Sequence, residues 1–225
     1  MSAALPATST APVPRPRIAV FHTEDAYGRD GLDAVTRAMA EAGLPVPASA
    51  AYDVRSPDVP AAVIRLAGAE AVVMFASAAP LAEFVAAMRG RGTGAVLVAG
   101  SAADMVALVK SVGLPQARGI GYLRSIPAPS DRSRVGREFR ALWARSGRGT
   151  EPTPFHLEGC LAAQVALRAA AAAGPRVTGA QLSRRLKAQG PQAFGDFRVD
   201  FSNRFNEGSS WVGIAVVDER GRLRD

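Results

Sequence analysis

The stretch Ala71-Val-Val-Met-Phe75 decides the fold that we expect for this sequence. Five consecutive apolar residues, two of them β-branched, predict a strand that is buried on both faces. Residues 80–91 follow it with large apolar residues at three- and four-residue spacing, which predicts a helix. The next apolar run, Ala95–Val98, predicts a second buried strand.

The same alternation of strand and helix extends in both directions from this stretch. Arg17–Phe21 predicts the first strand of the series and Gly119–Ile126 the last. Near-continuous apolar strands that are joined by helices and short loops indicate a parallel sheet covered on both faces. We therefore expect an α/β fold with a parallel Rossmann-like sheet flanked by helices.

The pattern becomes helical after Pro129. Three helices are predicted, over residues 131–146, 154–173 and 178–189. The alternating run Phe197–Phe201 and the apolar run Trp211–Val217 then predict a C-terminal β-hairpin.

Composition narrows the class of protein. Hydrophobic residues make up 48% and charged residues 21%, which are ordinary globular values. The net charge of +7 suggests nucleic acid, but the arginines are spread along the chain among acidic residues, so we expect no nucleic-acid partner. No apolar run is long enough to predict a membrane span, and two histidines with one cysteine predict neither a metal site nor a cofactor.

An ordered set of short motifs carries a resemblance to one family. In chain order, the motifs are Glu24-Asp25-Ala26-Tyr27-Gly28-Arg29-Asp30-Gly31-Leu32, Glu70-Ala-Val-Val-Met74, Leu157-Glu158-Gly159-Cys160-Leu161-Ala162-Ala163, Gly208-Ser209-Ser210-Trp211-Val212 and Asp218-Glu219-Arg220-Gly221-Arg222. From about Arg17 to the C-terminus, the chain resembles the type I periplasmic binding proteins of branched-chain amino-acid ABC transporters, the leucine-binding-protein-like group. That family has two α/β lobes with the ligand between them, and the resemblance implies that most of lobe 1 has no counterpart here.

The resemblance also implies a domain organisation. The expected parts are a disordered Pro/Ala-rich tail over residues 1–16, lobe 2 over 17–127, a helical segment that normally packs on lobe 1 over 128–192, and a hairpin that returns to lobe 2 over 193–225. The predicted helix over 154–173 is apolar around most of its circumference, and such a helix needs burial on several sides. We therefore expect self-association through residues 130–190.

The candidate ligand-binding residues are Tyr27, Ser77, Ala78 and Ser101. The resemblance implies that Tyr27 packs on the ligand, while the alternative is that Tyr27 and Gly28 only shape the turn from strand to helix. Ser77, Ala78 and Ser101 occupy two further loops that border the ligand in the family. Here these loops carry neither the second aromatic residue nor the acidic residue that often pairs with a ligand ammonium.

One pair of residues suggests a different class of function. His156 and Cys160 lie four apart on a predicted helix, where they could share a face as a nucleophile and its base. A small buried thiol in an alanine-rich helix is the more ordinary interpretation. We expect no catalytic residue, and we expect that the protein is not an enzyme.

The function that the resemblance implies is that of a partial substrate-binding component of an ABC importer. Its ligand would be a branched-chain amino acid or a related small amino-acid or carboxylate solute, and its partner an ABC permease. The family is periplasmic, but the first 16 residues lack the basic and apolar regions of a signal peptide, which favours a cytoplasmic location or a partial reading frame. The alternatives are a cytoplasmic ligand-sensing or interaction module derived from that fold, or a non-functional gene fragment.

Overall fold

The computed structural model describes residues 15–203 and 207–224. Its strands are β1 (Ile18–Thr23), β2 (Ala48–Tyr52), β3 (Ala71–Phe75), β4 (Val96–Ala99), β5 (Gly121–Arg124), β6 (Gln192–Phe194), β7 (Phe197–Val199), β8 (Gly213–Val217) and β9 (Leu223–Arg224). Its helices are α1 (Ala26–Glu41), α2 (Val59–Leu66), α3 (Ala78–Gly90), α4 (Met105–Val112), α5 (Leu114–Ala117), α6 (Arg134–Arg145), α7 (Pro154–Ala173) and α8 (Gly179–Ala188). Apart from Arg15 and Pro16, the tail that we predicted lies outside the described residues.

The main sheet is mostly parallel. Within the described residues it has seven strands, in the order β2-β1-β3-β4-β5-β8-β9. Neighbouring strands among β1 to β5 run parallel to one another, and β8 pairs antiparallel with β9. The predicted α/β fold is thereby confirmed, and a C-terminal β-hairpin is present, although its two strands are β8 and β9.

The hydrophobic core of the sheet lies beneath α2, α3 and α4. The chain moves from β1 to β2 in one direction along the sheet and from β2 to β5 in the other. Because crossovers between parallel strands are right-handed, this reversal places α2, α3 and α4 on one face of the sheet and α1 on the other. The ring of Phe21 stacks on Phe84 of α3 at 4.2 Å between centroids and on Tyr52 at 5.1 Å. All three rings are almost completely buried, so this stack fixes the ends of β1 and β2 against α3.

Several boundaries differ from those expected, for identifiable reasons. β2 begins at Ala48, immediately after Pro47, because proline lacks the amide donor that a ladder needs. Asp104 caps α4 at its first residue, Met105, since its carboxylate accepts from the amides of Val106 and Ala107. β7 does not pair with the strand at 213–217; it forms a separate antiparallel pair with β6.

The described chain divides into two compact units. The first consists of the chain up to Tyr122 together with Val216–Arg224, and the second of Leu123–Ala215. The second unit has its own apolar core, which contains Phe139 of α6, Leu161 of α7 and Phe197 of β7.

Asp196, in the turn between β6 and β7, accepts from the amides of Arg134 and Val135 at 2.8 and 2.9 Å, and these bonds lower its pKa.

Helix α1 lies unusually close to the end of β1. Asp25 caps α1 and accepts from the Gly28 amide at 3.0 Å. A Cβ atom at Gly28 would lie 1.9 Å from the carbonyl oxygen of Thr23, the last residue of β1. No side chain fits into that distance, so glycine at this position permits the contact between helix and strand.

We predict that Gly28→Ala lowers the free energy of unfolding by about 1–3 kcal/mol, because α1 must shift away from β1 to relieve the overlap. Urea-induced unfolding measures the change. Gly68→Ala is the matched control, since a Cβ atom there meets no atom within 4 Å. Equal unfolding midpoints for the two variants would contradict the close approach.

Candidate ligand-binding site

Polar and aromatic side chains gather where the parallel strands end. The register pairs Thr23 with Tyr52, and His22 with Phe75, so the carboxyl ends of β1, β2 and β3 lie side by side. Ligands of open α/β sheets bind outside this edge of the sheet. The carboxyl edge of the first unit is therefore the candidate site.

Tyr27 spans the centre of this edge. It lies in the first turn of α1, and its half-buried ring meets the ring of Phe75 edge-on, at 5.8 Å and 78°. The backbone of Ala102, in the loop after β4, lies near the phenol oxygen and acts to lower the pKa of Tyr27. Burial nevertheless raises the pKa of Tyr27 above its ordinary value, so the phenol is protonated at neutral pH.

Gly100 makes room for this arrangement. A Cβ atom at Gly100 would lie 2.6 Å from the Tyr27 hydroxyl and 2.9 Å from the Phe75 ring. The glycine thus allows the loop after β4 to approach both rings. The next residue, Ser101, is half-buried, and its carbonyl accepts from the Tyr122 hydroxyl at 3.0 Å.

Ser77 and Ala78 lie at the same edge, one strand away. Ser77 caps α3 with its backbone, and Ala78 is the first residue of that helix; both are exposed. The Ser77 amide donates to the Tyr52 hydroxyl at 2.8 Å, and the two hydroxyl oxygens are 3.0 Å apart. Tyr52 therefore fixes the loop after β3.

The structure thus brings the four predicted residues to one edge, and Tyr27 alone reaches across to a neighbouring loop. Sequence reasoning missed Phe75, Tyr52, Tyr122 and Gly100. Phe75 and Tyr52 are the last residues of their strands. Their position at a strand end is the signal in the sequence that could have identified them as site residues.

The His156–Cys160 pair has other contacts. The His156 Nδ1 atom accepts from the Thr153 amide at 3.0 Å as part of the cap of α7, while the Cys160 Sγ atom accepts from Gln164 at 3.3 Å. His22, one residue beyond the strand predicted at Arg17–Phe21, belongs to β1 and is buried. These contacts give none of the three residues the geometry of a nucleophile and its base.

The mostly parallel sheet with helices on its two faces defines the class of fold, an α/β lobe. Residues 7–222 match the model of the periplasmic binding protein family, and the chain belongs to that family. No curated protein matches the sequence. Among the described residues, no helix is both long and apolar enough to cross a membrane.

Solved structures show the same relationship. A substrate-binding periplasmic protein from Ralstonia solanacearum is 32% identical with a TM-score of 0.79, and the match covers 93% of this chain and 61% of that one. Two others share the fold at lower identity. A possible leucine/isoleucine/valine-binding protein from Rhodopirellula baltica SH 1 has 17% identity and a TM-score of 0.82, covering 93% and 59% of the two chains. A branched-chain amino-acid ABC transporter protein from Thermus thermophilus with bound valine has 19% identity and a TM-score of 0.72, with the same coverage.

The chain thus spans about 60% of the length of these solved proteins.

We predict that Tyr52→Phe lowers the free energy of unfolding by about 1–2 kcal/mol, because it removes the hydroxyl that holds Ser77. Urea-induced unfolding gives the energy, and faster hydrogen exchange at the Ser77 amide locates the change. Ser111→Ala removes an exposed hydroxyl on α4 and serves as the control. Unchanged exchange at Ser77 would show that Tyr52 does not fix this loop.

Proposed function

We propose that this chain is the lobe 2 portion of the solute-binding component of an ABC importer. Membership of the periplasmic binding protein family supports the proposal. Two solved neighbours also support it, the possible leucine/isoleucine/valine-binding protein and the branched-chain amino-acid transporter protein with bound valine. Its solute is a small amino-acid-like or carboxylate compound, its partner an ABC permease, and its working location the periplasm. The observation that carries the proposal is Tyr27, whose ring packs on Phe75 and whose hydroxyl reaches the loop after β4.

Each predicted residue has a distinct part in this function. Tyr27 supplies an apolar ring face and one polar tip, a combination that suits an amphiphilic solute. Ser77 and Ser101 supply hydroxyl groups, and the short side chain of Ala78 leaves space beside them. Capture of a solute by closure of two lobes needs a second wall opposite this edge. The solved neighbours extend beyond the part that this chain matches, which leaves enough length for such a wall.

The binding function predicts that a solute stabilises the folded chain. In a thermal-shift panel of L-leucine, L-valine and small carboxylates at millimolar concentration, at least one compound should raise Tm by about 2–4 °C at tenfold excess over its Kd. Tyr27→Ala should abolish the shift. Phe155→Ala, which removes an exposed ring from α7, should retain it. If no compound in the panel shifts Tm, this chain does not bind solute.

The outer face of α7 supports a second proposal, self-association of the chain. Leu167 is 69% exposed and Phe155 is 42% exposed, and small residues such as Ala163 and Ala166 lie exposed between them. An apolar cavity of about 390 Å³ opens beside the same helix and is lined by Leu161 and other apolar residues of the second unit. Exposed apolar surface of this kind is typical of an interface, and in a pure sample the available partner is a second copy.

We predict that the purified chain forms a dimer or a higher oligomer, and that Leu167→Glu shifts it toward monomer by burying a charge in the contact. Sedimentation velocity measures the distribution across a concentration series. Ile64→Glu changes a residue of similar exposure on α2, outside the proposed surface, and should leave the distribution unchanged. A compact monomer at all concentrations would refute the proposal.

A further inference from the structure

A cleft between α6 and α7 in the second unit combines an excess of arginine with a floor of buried apolar side chains. We propose that this α6–α7 cleft binds a small organic anion, whose acid group is held by Arg168 and whose apolar body lies on the floor. The residues that line the cleft all belong to the second unit, whereas the carboxyl-edge site belongs to the first. The inference therefore goes beyond the proposed binding function.

The α6–α7 cleft is large enough for a small molecule. Its volume is about 410 Å³, and pockets that hold small ligands measure about 300–1,000 Å³. The floor consists of Phe139 of α6, Leu157 and Leu161 of α7, and Phe194 of β6, each of them more than nine-tenths buried. An apolar or aromatic body that enters the cleft is therefore removed from water against apolar side chains.

The charged side chains that line the cleft are Arg134, Arg145, Arg168 and Glu138. The Arg134 Nε atom lies 2.7 Å from a carboxylate oxygen of Glu138, so these two charges form an ion pair. Within the part of the chain that the structure describes, Arg145 and Arg168 form no ion pair. Residues 159–195, which include most of α7 and all of α8 and β6, contain no aspartate or glutamate. The cleft thus has two guanidinium charges for an anion to neutralise.

Arg168 is the arginine whose orientation is fixed. Its Nη1 atom donates to the carbonyl oxygen of Ala193 at 3.3 Å, and its guanidinium carbon lies 4.1 Å from the centroid of the Phe194 ring. The guanidinium has further N–H donors, and arginine binds a carboxylate or phosphate with two parallel hydrogen bonds. Because Phe194 also belongs to the floor, an acid group at Arg168 lies next to apolar surface, which is why the anion that fits is an organic one.

Cys160 makes binding in this cleft measurable. It is the only cysteine of the chain, it lines the cleft, and it is half-buried. The side-chain amide of Gln164, another lining residue, donates to its Sγ atom at 3.3 Å. A ligand in the cleft should therefore shield this thiol from alkylation by iodoacetamide, a neutral reagent that does not compete for the arginines.

The test measures the rate at which iodoacetamide alkylates Cys160 in the full chain, at constant ionic strength and with increasing concentrations of three probes. The probe 3-phenylpropanoate has the acid group and the apolar body, 3-phenylpropanamide lacks the charge, and acetate lacks the body. We expect 3-phenylpropanoate to slow alkylation, with half-maximal protection at a concentration at least about tenfold lower than either other probe requires. Because Cys160 belongs to this cleft, binding at the carboxyl edge of the first unit does not produce the signal.

Two variants assign the role of Arg168. Arg168→Gln should raise the concentration of 3-phenylpropanoate for half-maximal protection about tenfold, the effect of one lost hydrogen bond to a charged group. Its alkylation rate without a probe should equal that of the unaltered chain, which shows that the cleft remains folded. Arg176→Gln changes an exposed arginine that follows α7 and does not line the cleft, so it should leave the protection unchanged.

Each contrary result overturns a defined part of the proposal. Equal protection by 3-phenylpropanamide would overturn the anionic class of the ligand, and equal protection by acetate would overturn its apolar body. Full protection in Arg168→Gln would overturn the assignment of that arginine. If none of the three probes slows alkylation at millimolar concentration, the cleft is not a site for organic anions.

Discussion

The approach of Gly28 to the carbonyl oxygen of Thr23 is the contact on which the candidate site depends. A Cβ atom would lie 1.9 Å from that oxygen, so α1 takes its position because residue 28 has no side chain. Tyr27 precedes this glycine, and its ring is thereby set over the ends of β1 and β3. The ring of Phe75 contacts the Tyr27 ring edge-on. Gly100 leaves room for the Tyr27 hydroxyl because it has no Cβ atom. A steric constraint on the backbone thus positions the polar groups of the site.

Much of the fold follows from hydrophobic pattern. The apolar runs at Ala71–Phe75 and Val96–Ala99 are strands in the structure because a buried parallel strand needs apolar residues on both faces. Boundaries were less predictable, since they depend on which polar side chain captures the first amides of a helix. Asp104 illustrates this, since its carboxylate caps α4 and so marks where that helix begins. The partner of β7 depends on long-range pairing, which a local pattern does not encode.

The candidate site was predictable only in outline. Tyr27 is conspicuous in its motif, and Ser77, Ala78 and Ser101 were expected because the resemblance implies that their loops border the ligand. The contact that fixes Ser77 joins it to Tyr52, 25 residues earlier in the chain, and it exists because the register aligns β2 beside β1. Phe75 was also not predictable as a site residue, since an aromatic residue at the end of a strand resembles a core residue in the sequence. Its partner Tyr27 belongs to another element, so the sequence alone does not show that the two rings meet.

The candidate site lies along one edge of the first unit, and this limits the surface that it can offer to a solute. Pockets that hold small molecules tightly cover most of the ligand surface, and a single carboxyl edge covers one side of it. The tight retention of a solute therefore requires a second wall, in keeping with a chain that spans about 60% of the length of its solved neighbours. Because Tyr27 packs on Phe75 and Ser77 is hydrogen-bonded to Tyr52, contacts within the first unit fix the orientation of both residues.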